Sequence, residues 1–470
     1  MPGLLNTLSI ANSGIQAAQV GIDLTGSNLA NVSNPSYARR RIVLESRRIA
    51  EGLPGGVSIR TVESVRDNLL DSQVIREKAA TSHLEARQGA FQLAQGFLGQ
   101  TIDQQSSAGN LAQAAIGAGQ YHLAYGLSQF FGAIQRAAVN PNSMADRQIL
   151  ALNASQLSDR FRQVDSQLRR IGVDMDKDIK EEVAKANDLL KQISEVSREL
   201  SVVKNTRPDS VASLQDQLQM RLEELGDITS FESVTDESNQ IQITVGGVAL
   251  ISANRLTGSL TATGNPGQLE VSVVGQDGST APVGTGKIRG WIEARDGGIQ
   301  TLIDQNDLLA RTLMSEVNRL HASGTGLDGA GGRDLFVGTG AGDIRVNADL
   351  TSDPRKIQLS GTGSPGDNSI AVAIGRLQET PLDDLSGQTF AGFYNQTVAA
   401  IGQQLSGTNS QLRDQEVIVG LLRSQRQGIS GVNLDEEMSN LLVMQRAFQA
   451  SARLVSTVDT LMETVIRLGR

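Results

Sequence analysis

The chain has 470 residues, with 42 lysines and arginines against 51 aspartates and glutamates, a formal net charge of -9. This length allows about three domains, and the negative balance argues against nucleic acid as the main partner. An aromatic content of 3% leaves little to line a large pocket, and the lack of cysteine removes disulfides, thiolate metal sites and cysteine nucleophiles together.

In chain order, the first pattern is an apolar row at Leu4, Leu8, Ala11, Ile15, Ala18, Ile22, Thr25, Leu29 and Val32. Its 4-3-4-3 spacing keeps the row on one face of a helix, which needs a partner helix to cover it. A shorter helix is expected from Val65 to Leu98. A long one follows from Leu150 to Val203, where Leu150, Ala154, Leu157, Phe161, Val164, Leu168 and Ile171 recur at threes and fours. That rod is roughly 80 Å long unless Gly172 breaks it, and Pro141 and Pro208 bound it. A helix from Ser210 to Leu225 comes next.

Near Phe231 the period falls to two. Ile241-Gln242-Ile243-Thr244-Val245 and Leu269-Glu270-Val271-Ser272-Val273 alternate, with turns at Gly246-Gly247, Asn265-Pro266-Gly267 and Gln276-Asp277-Gly278. This reads as a small antiparallel β insertion. Helix returns from Trp291 to His321. The glycine-rich run Ala322 to Arg376 either joins the β insertion or forms a lobe on the helical part. A helix from Phe390 to Gln427 leads to a glycine hinge at Gly428 and Gly431, and Asn433 with Glu436 can cap the last helix.

That last helix carries Leu434, Met438, Leu441, Met444, Phe448, Ser451, Val455, Val458, Met462 and Val465 at nearly the same spacing as the first. Two matched rows some 400 residues apart are most simply halves of one coiled coil. The ends then lie together, the middle loops outward, and the chain assembles through its ends. The residues expected in the interface are Leu8, Ile15, Ile22, Leu29, Leu434, Leu441, Phe448, Val455 and Met462. The fold class is mainly α with inserted β, a multi-domain α+β chain. Residues 1–60 with 428–470 form a terminal coiled-coil domain, 61–227 with 284–427 a helical domain containing the glycine-rich 322–376, and 228–283 a β-rich outer insertion.

Signals for chemistry are poor, and no catalytic residue, cofactor or metal is expected. Gly324, Gly326 and Gly329, and again Gly361, Gly363 and Gly366, match a dinucleotide fingerprint by letter but lack the strand before and the helix after. Asp328 to Asp334 lacks the alternating oxygen ligands of a calcium loop. His83, His122 and His321 stand apart with no metal-ligand spacing. The one strong charge run is Arg39-Arg40-Arg41 with Arg47-Arg48. It is either a solvated face near a hinge or a set of contacts to carboxylates on a neighbouring subunit. No segment has the pattern of a cleavable signal peptide or a spanning helix. Read without any family, this places the chain in the cytosol.

Both ends also resemble a known family. Gly431-Val432-Asn433-Leu434-Asp435-Glu436-Glu437 and Met444-Gln445-Arg446-Ala447-Phe448-Gln449-Ala450-Ser451-Ala452-Arg453, with Ser13 to Gln19 and Gly26 to Asn31, resemble the terminal signatures of bacterial flagellar axial proteins. Asn34-Pro35-Ser36-Tyr37-Ala38-Arg39, Phe130-Phe131, Asn140-Pro141, Arg147, Gly286-Lys287-Ile288, Glu293 to Asp296 and Val317 to His321 resemble the hook-associated branch of that family. One departure is Leu214-Gln215-Asp216-Gln217-Leu218, where the family often has an Arg-Asp pair, so that pair's contact is left open. The resemblance implies a non-enzymatic adaptor at the hook–filament junction. Its implied partners are other copies of itself, the hook protein, a second junction protein and an export chaperone on the C-terminal helix, with no nucleic acid and no membrane insertion. It also implies export through the flagellar type III apparatus, without a cleaved signal, to an extracellular place on the flagellum. The alternatives are another axial protein of hook or distal rod, or a secreted adhesin or enzyme on an axial scaffold.

Overall fold

The computed structural model describes residues 2–34, 37–49, 53–98, 123–203, 208–236, 240–364 and 366–468. Helix α1 (Pro2–Ala30) is followed by an antiparallel ribbon of β1 (Arg40–Ile49) and β2 (Leu53–Ser64), with Arg40 opposite Ser64 and Ser46 opposite Val57. The sequence reading does not foresee this ribbon. Its charged residues interrupt the alternation, and among its described side chains none of the large apolar ones is buried. A strand pair with two wet faces leaves little period-two signal.

Among the described residues the helices that follow are α2 (Asn68–Leu98), α3 (Leu123–Val139), α4 (Met144–Val203) and α5 (Pro208–Ile228). The 60 residues of α4 make a rod of about 90 Å. Gly172 does not break it; this residue sits where α4 passes Arg295 and Gly267. Pro208 is the first residue of α5, where a missing N–H costs no helical hydrogen bond.

The β insertion comprises β3 (Glu232–Thr235), β4 (Ile241–Val245), β5 (Val248–Ser252), β6 (Arg255–Leu256), β7 (Gly258–Thr263), β8 (Glu270–Gly275) and β9 (Thr280–Pro282). These form an antiparallel sheet in the order β3-β4-β5-β6 and a second in the order β7-β8-β9. The β4–β5 turn needs positive φ at two successive residues, which Gly246 (57°) and Gly247 (83°) supply. Ile241, Ile243 and Val245 face inward while Gln242 faces water.

The chain then forms α6 (Lys287–Glu293), a π-helical turn (Ala294–Ile299) and α7 (Gln300–Ala322). A two-stranded ribbon, β10 (Phe336–Val337) with β11 (Arg345–Val346), precedes α8 (Ala348–Ser352), α9 (Ser369–Arg376), the long α10 (Phe390–Ser430) and α11 (Leu434–Leu468).

Two apolar cores share α4. Its first half, Leu150 to Met175, packs with α2, α3, α7, α10 and the glycine-rich segment, whose Leu335, Phe336, Ile344, Leu350, Ile357 and Leu359 are buried there. Of the two placements open to 322–376, the structure has the lobe on the helical body. Arg147 ties it down, donating to the Pro141 and Ile357 carbonyls at 2.7 and 2.5 Å. Burial pulls this guanidinium down to about 10. The second half of α4, Ile179 to Leu200, shares a core with α5 and the insertion strands. Asn187 brackets Leu260 with two backbone hydrogen bonds of 2.9 Å, and Arg295 joins Asp176 on α4 to the Leu269 carbonyl. A β unit of this size cannot cover both its sheets alone, so α4 covers one face.

Candidate assembly interface

Helices α1 and α11 pack side by side. Gly14 lies against Ser451, Gly21 against Met444, and Asn28 against Glu437. Seven residues forward on α1 therefore meet seven back on α11, the register of an antiparallel heptad pair. A Cβ on Gly14 would stand 2.7 Å from Ser451 Oγ, and one on Gly21 2.8 Å from Met444 Sδ. Only glycine allows this approach without displacing the facing side chain. Ala11, Ala18, Thr25 and Asn28 are buried on the α1 side, Glu437 and Val458 on the α11 side.

The residues expected from the apolar rows are buried unequally. Leu8, Ile15, Ile22 and Leu29 on α1, and Leu441, Phe448, Val455 and Met462 on α11, are partly buried. Leu434, in the first turn of α11, is 53% exposed. The axis of closest approach runs through the neighbouring row of Gly14, Gly21 and Asn28, because small residues permit a shorter interhelical distance than isoleucine. That row was missed. Its signal was present in the heptad spacing of two glycines and an asparagine.

At the inner end of the coil the seam turns polar. Asn28, 1% exposed, donates from Nδ2 to Glu437 Oε2 at 2.9 Å and to the Arg40 carbonyl at 3.0 Å. Its Oδ1 accepts from Tyr37 Oη at 2.8 Å and from the Arg40 amide at 3.1 Å. Every donor and acceptor of the amide is thereby used. Burial raises the Tyr37 phenol above its ordinary value, keeping it a donor. The second oxygen of Glu437 meets Arg39 Nε at 2.9 Å, and Arg39 Nη1 reaches Glu436 at 2.6 Å. Asn433 caps α11, accepting from the Asp435 amide at 2.9 Å. The Arg39 amide donates to the Ser430 carbonyl at 2.8 Å, joining the base of the ribbon to the end of α10.

From Arg40 an ion network enters the helical body. Asp216 on α5 accepts from Arg40 at 2.7 Å and Arg66 at 2.6 Å, Arg66 reaches Asp71 at 3.3 Å, and Arg426 on α10 joins Asp71 (3.4 Å) to Glu223 (2.6 Å). Burial pushes the Asp71 carboxyl up despite the two arginines beside it. Asp216 lies in the run that departs from the family pattern, and here it is held between Arg40 and Arg66. Of the arginines considered for intersubunit contacts, Arg39 and Arg40 meet carboxylates of their own chain, while Arg41 is exposed and 3.5 Å from Glu63.

The sites set aside on sequence grounds have concrete neighbours. Asp367 accepts the amides of Gly361, Thr362 and Ser369, so a carboxylate occupies donors that a phosphate would need. These bonds hold its pKa well below the usual carboxylate range. Asp328 pairs with Arg333 at 2.6 Å. His321 is fully buried, its Nε2 accepting from the Gln358 amide at 2.9 Å and its Nδ1 lying 2.7 Å from the Arg333 carbonyl. It is therefore the neutral Nδ1–H tautomer, with burial lowering its pKa to about 4. His83 lies 3.2 Å from Glu293, and His122 falls outside the described residues. Among the described residues no group of three or more His, Asp or Glu is arranged to hold a metal ion. No described helix is long and apolar enough to cross a membrane.

Comparison with known proteins points to the bacterial flagellum. Residues 110–336 match the family model described as the flagellar hook-associated protein FlgK helical domain, and 423–468 that of the flagellar basal body rod FlgEFG protein C-terminal region. The chain is 22% identical to flagellar hook-associated protein 1 of Bacillus subtilis, over 98% of this chain and 97% of that protein. It is also 22% identical to its counterpart in Escherichia coli, over the whole of both. The flagellar hook junction protein FlgK from Burkholderia pseudomallei has a similar fold, with TM-score 0.63 and 14% identity over 76% of this chain and all of that one. The paired terminal helices and these matches define a flagellar axial protein, a structural component of the flagellum and not an enzyme. Within that class the chain belongs to the flagellar hook-associated protein 1 family, the hook–filament junction proteins.

Proposed function

We propose that the chain works as an adaptor ring subunit, bound to the hook protein on one side, to a second junction protein on the other, and to its own copies laterally. The observation that carries this reading is a second apolar row on α11. Val443, Ala447, Ala450, Leu454, Leu461 and Leu468 recur at helical spacing on the side turned away from α1, and all are exposed. Leu454 and Leu461 are 46% and 47% exposed, Val443 57%. A continuous apolar strip of this kind marks an interaction surface, and neighbouring copies in a tube would cover it. In this reading 1–60 with 428–470 line the axis, 61–227 with 284–427 form the wall, and 228–283 face outward. A cytoplasmic chaperone would cover the α11 strip before export through the type III apparatus.

The test is Leu454→Asp in a strain lacking the native copy. The monomer should keep its circular dichroism and denaturation midpoint, since the side chain is half in water. Filaments should be lost and filament subunits should appear in the medium. Normal filaments on that strain would remove α11 from the assembly surface.

A further inference from the structure

We propose that the buried Asn28–Glu437 cluster sets the register of the terminal coil. The inference rests on the assembly reading above for why register matters, but its geometry stands apart from it. Along the seam, Gly14 and Gly21 face Ser451 and Met444, and the two glycines are seven residues apart. A slip of seven would set Gly21 on Ser451 or Gly14 on Met444, and a glycine can receive either side chain. Packing along this stretch therefore discriminates poorly between registers.

The polar end discriminates sharply. Glu437, 2% exposed, holds Asn28 with one oxygen and Arg39 with the other. A slip toward the N-terminus of α1 would bring Glu437 onto Gly21, and a slip the other way would bring Asn28 onto Met444. Either leaves a buried carboxylate or amide without its partners. A single polar group in a coiled-coil seam specifies register in this way. With α1 held against the ribbon through Ser13 and Val57, the register sets the height at which the strip of α11 is presented. A closed ring needs that height to be the same in every copy.

The lack of cysteine in the chain makes an introduced pair unambiguous. An ideal Cβ on Gly14 lies 3.6 Å from Ser451 Cβ, within the disulfide range. In the full-length protein, Gly14→Cys with Ser451→Cys should cross-link under mild oxidation, while Gly21→Cys with Ser451→Cys and Gly14→Cys with Met444→Cys should not. Adding Asn28→Leu with Glu437→Leu removes both polar side chains from the seam, and with them the Asn28 bonds to Tyr37 and Arg40. In that background the coil should persist, and a slipped pair should cross-link to an extent comparable with the native one. Cross-linking confined to the native pair would show that the connecting loops set the register and would overturn the proposal. Loss of every cross-link would overturn it too, because the cluster would then hold the helices together and not merely align them. Leu454→Asp tests the assembly reading separately, and its outcome leaves the cross-link pattern unchanged.

Discussion

The helical body and the terminal coil bury their apolar groups in opposite ways. In the body Phe130, Phe131, Phe161, Phe336 and Phe390 are at most 1% exposed. The ring centroids of Phe130 lie 5.2 Å from Phe131 and 5.5 Å from Phe336, and Phe131 is 5.9 Å from Phe390. In the coil Gly14 and Gly21 receive Ser451 and Met444, and Leu442, Val443, Leu454 and Ile466 remain 46–61% exposed. The body buries its large aromatic side chains within one chain, and volume decides their packing, while Leu69, Val139, Val417 and Leu421 at its surface stay 68–77% exposed. The coil leaves an apolar strip open and relies on a buried polar cluster for alignment. Stability should therefore reside in the body and assembly in the coil, with little overlap between the two.

The sharpest test of that division is Phe130→Ala, which removes a fully buried ring from the aromatic cluster. It should lower unfolding stability by about 4 kcal/mol, read from the midpoint of chemical denaturation. A second test uses acid. His321 has a folded-state pKa of about 4 against an ordinary 6.5, so the unfolded chain takes up the proton first as pH falls. Its contribution is whole above 6.5 and disappears on the way down to 4, a loss of roughly 3 kcal/mol. His321→Gln should be less stable at neutral pH and show a flatter stability profile across that window.

The joint between the two regions should respond less. Asp216→Ala strips Arg40 and Arg66 of a shared carboxylate and should cost about 2 kcal/mol. It should also bring early protease cleavage near the base of the ribbon. Cleavage unchanged from the parent would mean that the network does not hold coil to body. The smallest expected effect is Leu454→Ala, within about 0.5 kcal/mol on the monomer. A large loss of monomer stability there would break the comparison, because the strip would then be packed within the chain.

Local periodicity made much of this molecule legible. The rows of α1 and α11, the repeat along α4 and the alternation in β4 and β8 each arise from one element having a wet face and a dry one, which a short stretch of sequence records. The turn at Gly246-Gly247 and the cap at Asn433 were legible for the same local reason. The β1–β2 ribbon was not, because neither of its faces is buried deeply enough to impose a period. The placement of 322–376 was not either. Its contacts run to α3, α4 and α7, and glycine-rich sequence carries no pattern that points at them. Nor could sequence show which carboxylates Arg39 and Arg40 meet, or that Asn28 would close on Glu437. Those groups lie 409 residues apart in the chain, and only the antiparallel return of the last helix brings them together. Sequence by itself determined the long helices, the alternating strands of the insertion and which of their faces must be covered. Tertiary structure decided what covers them, since burial and charge pairing depend on distances in space that local spacing does not encode.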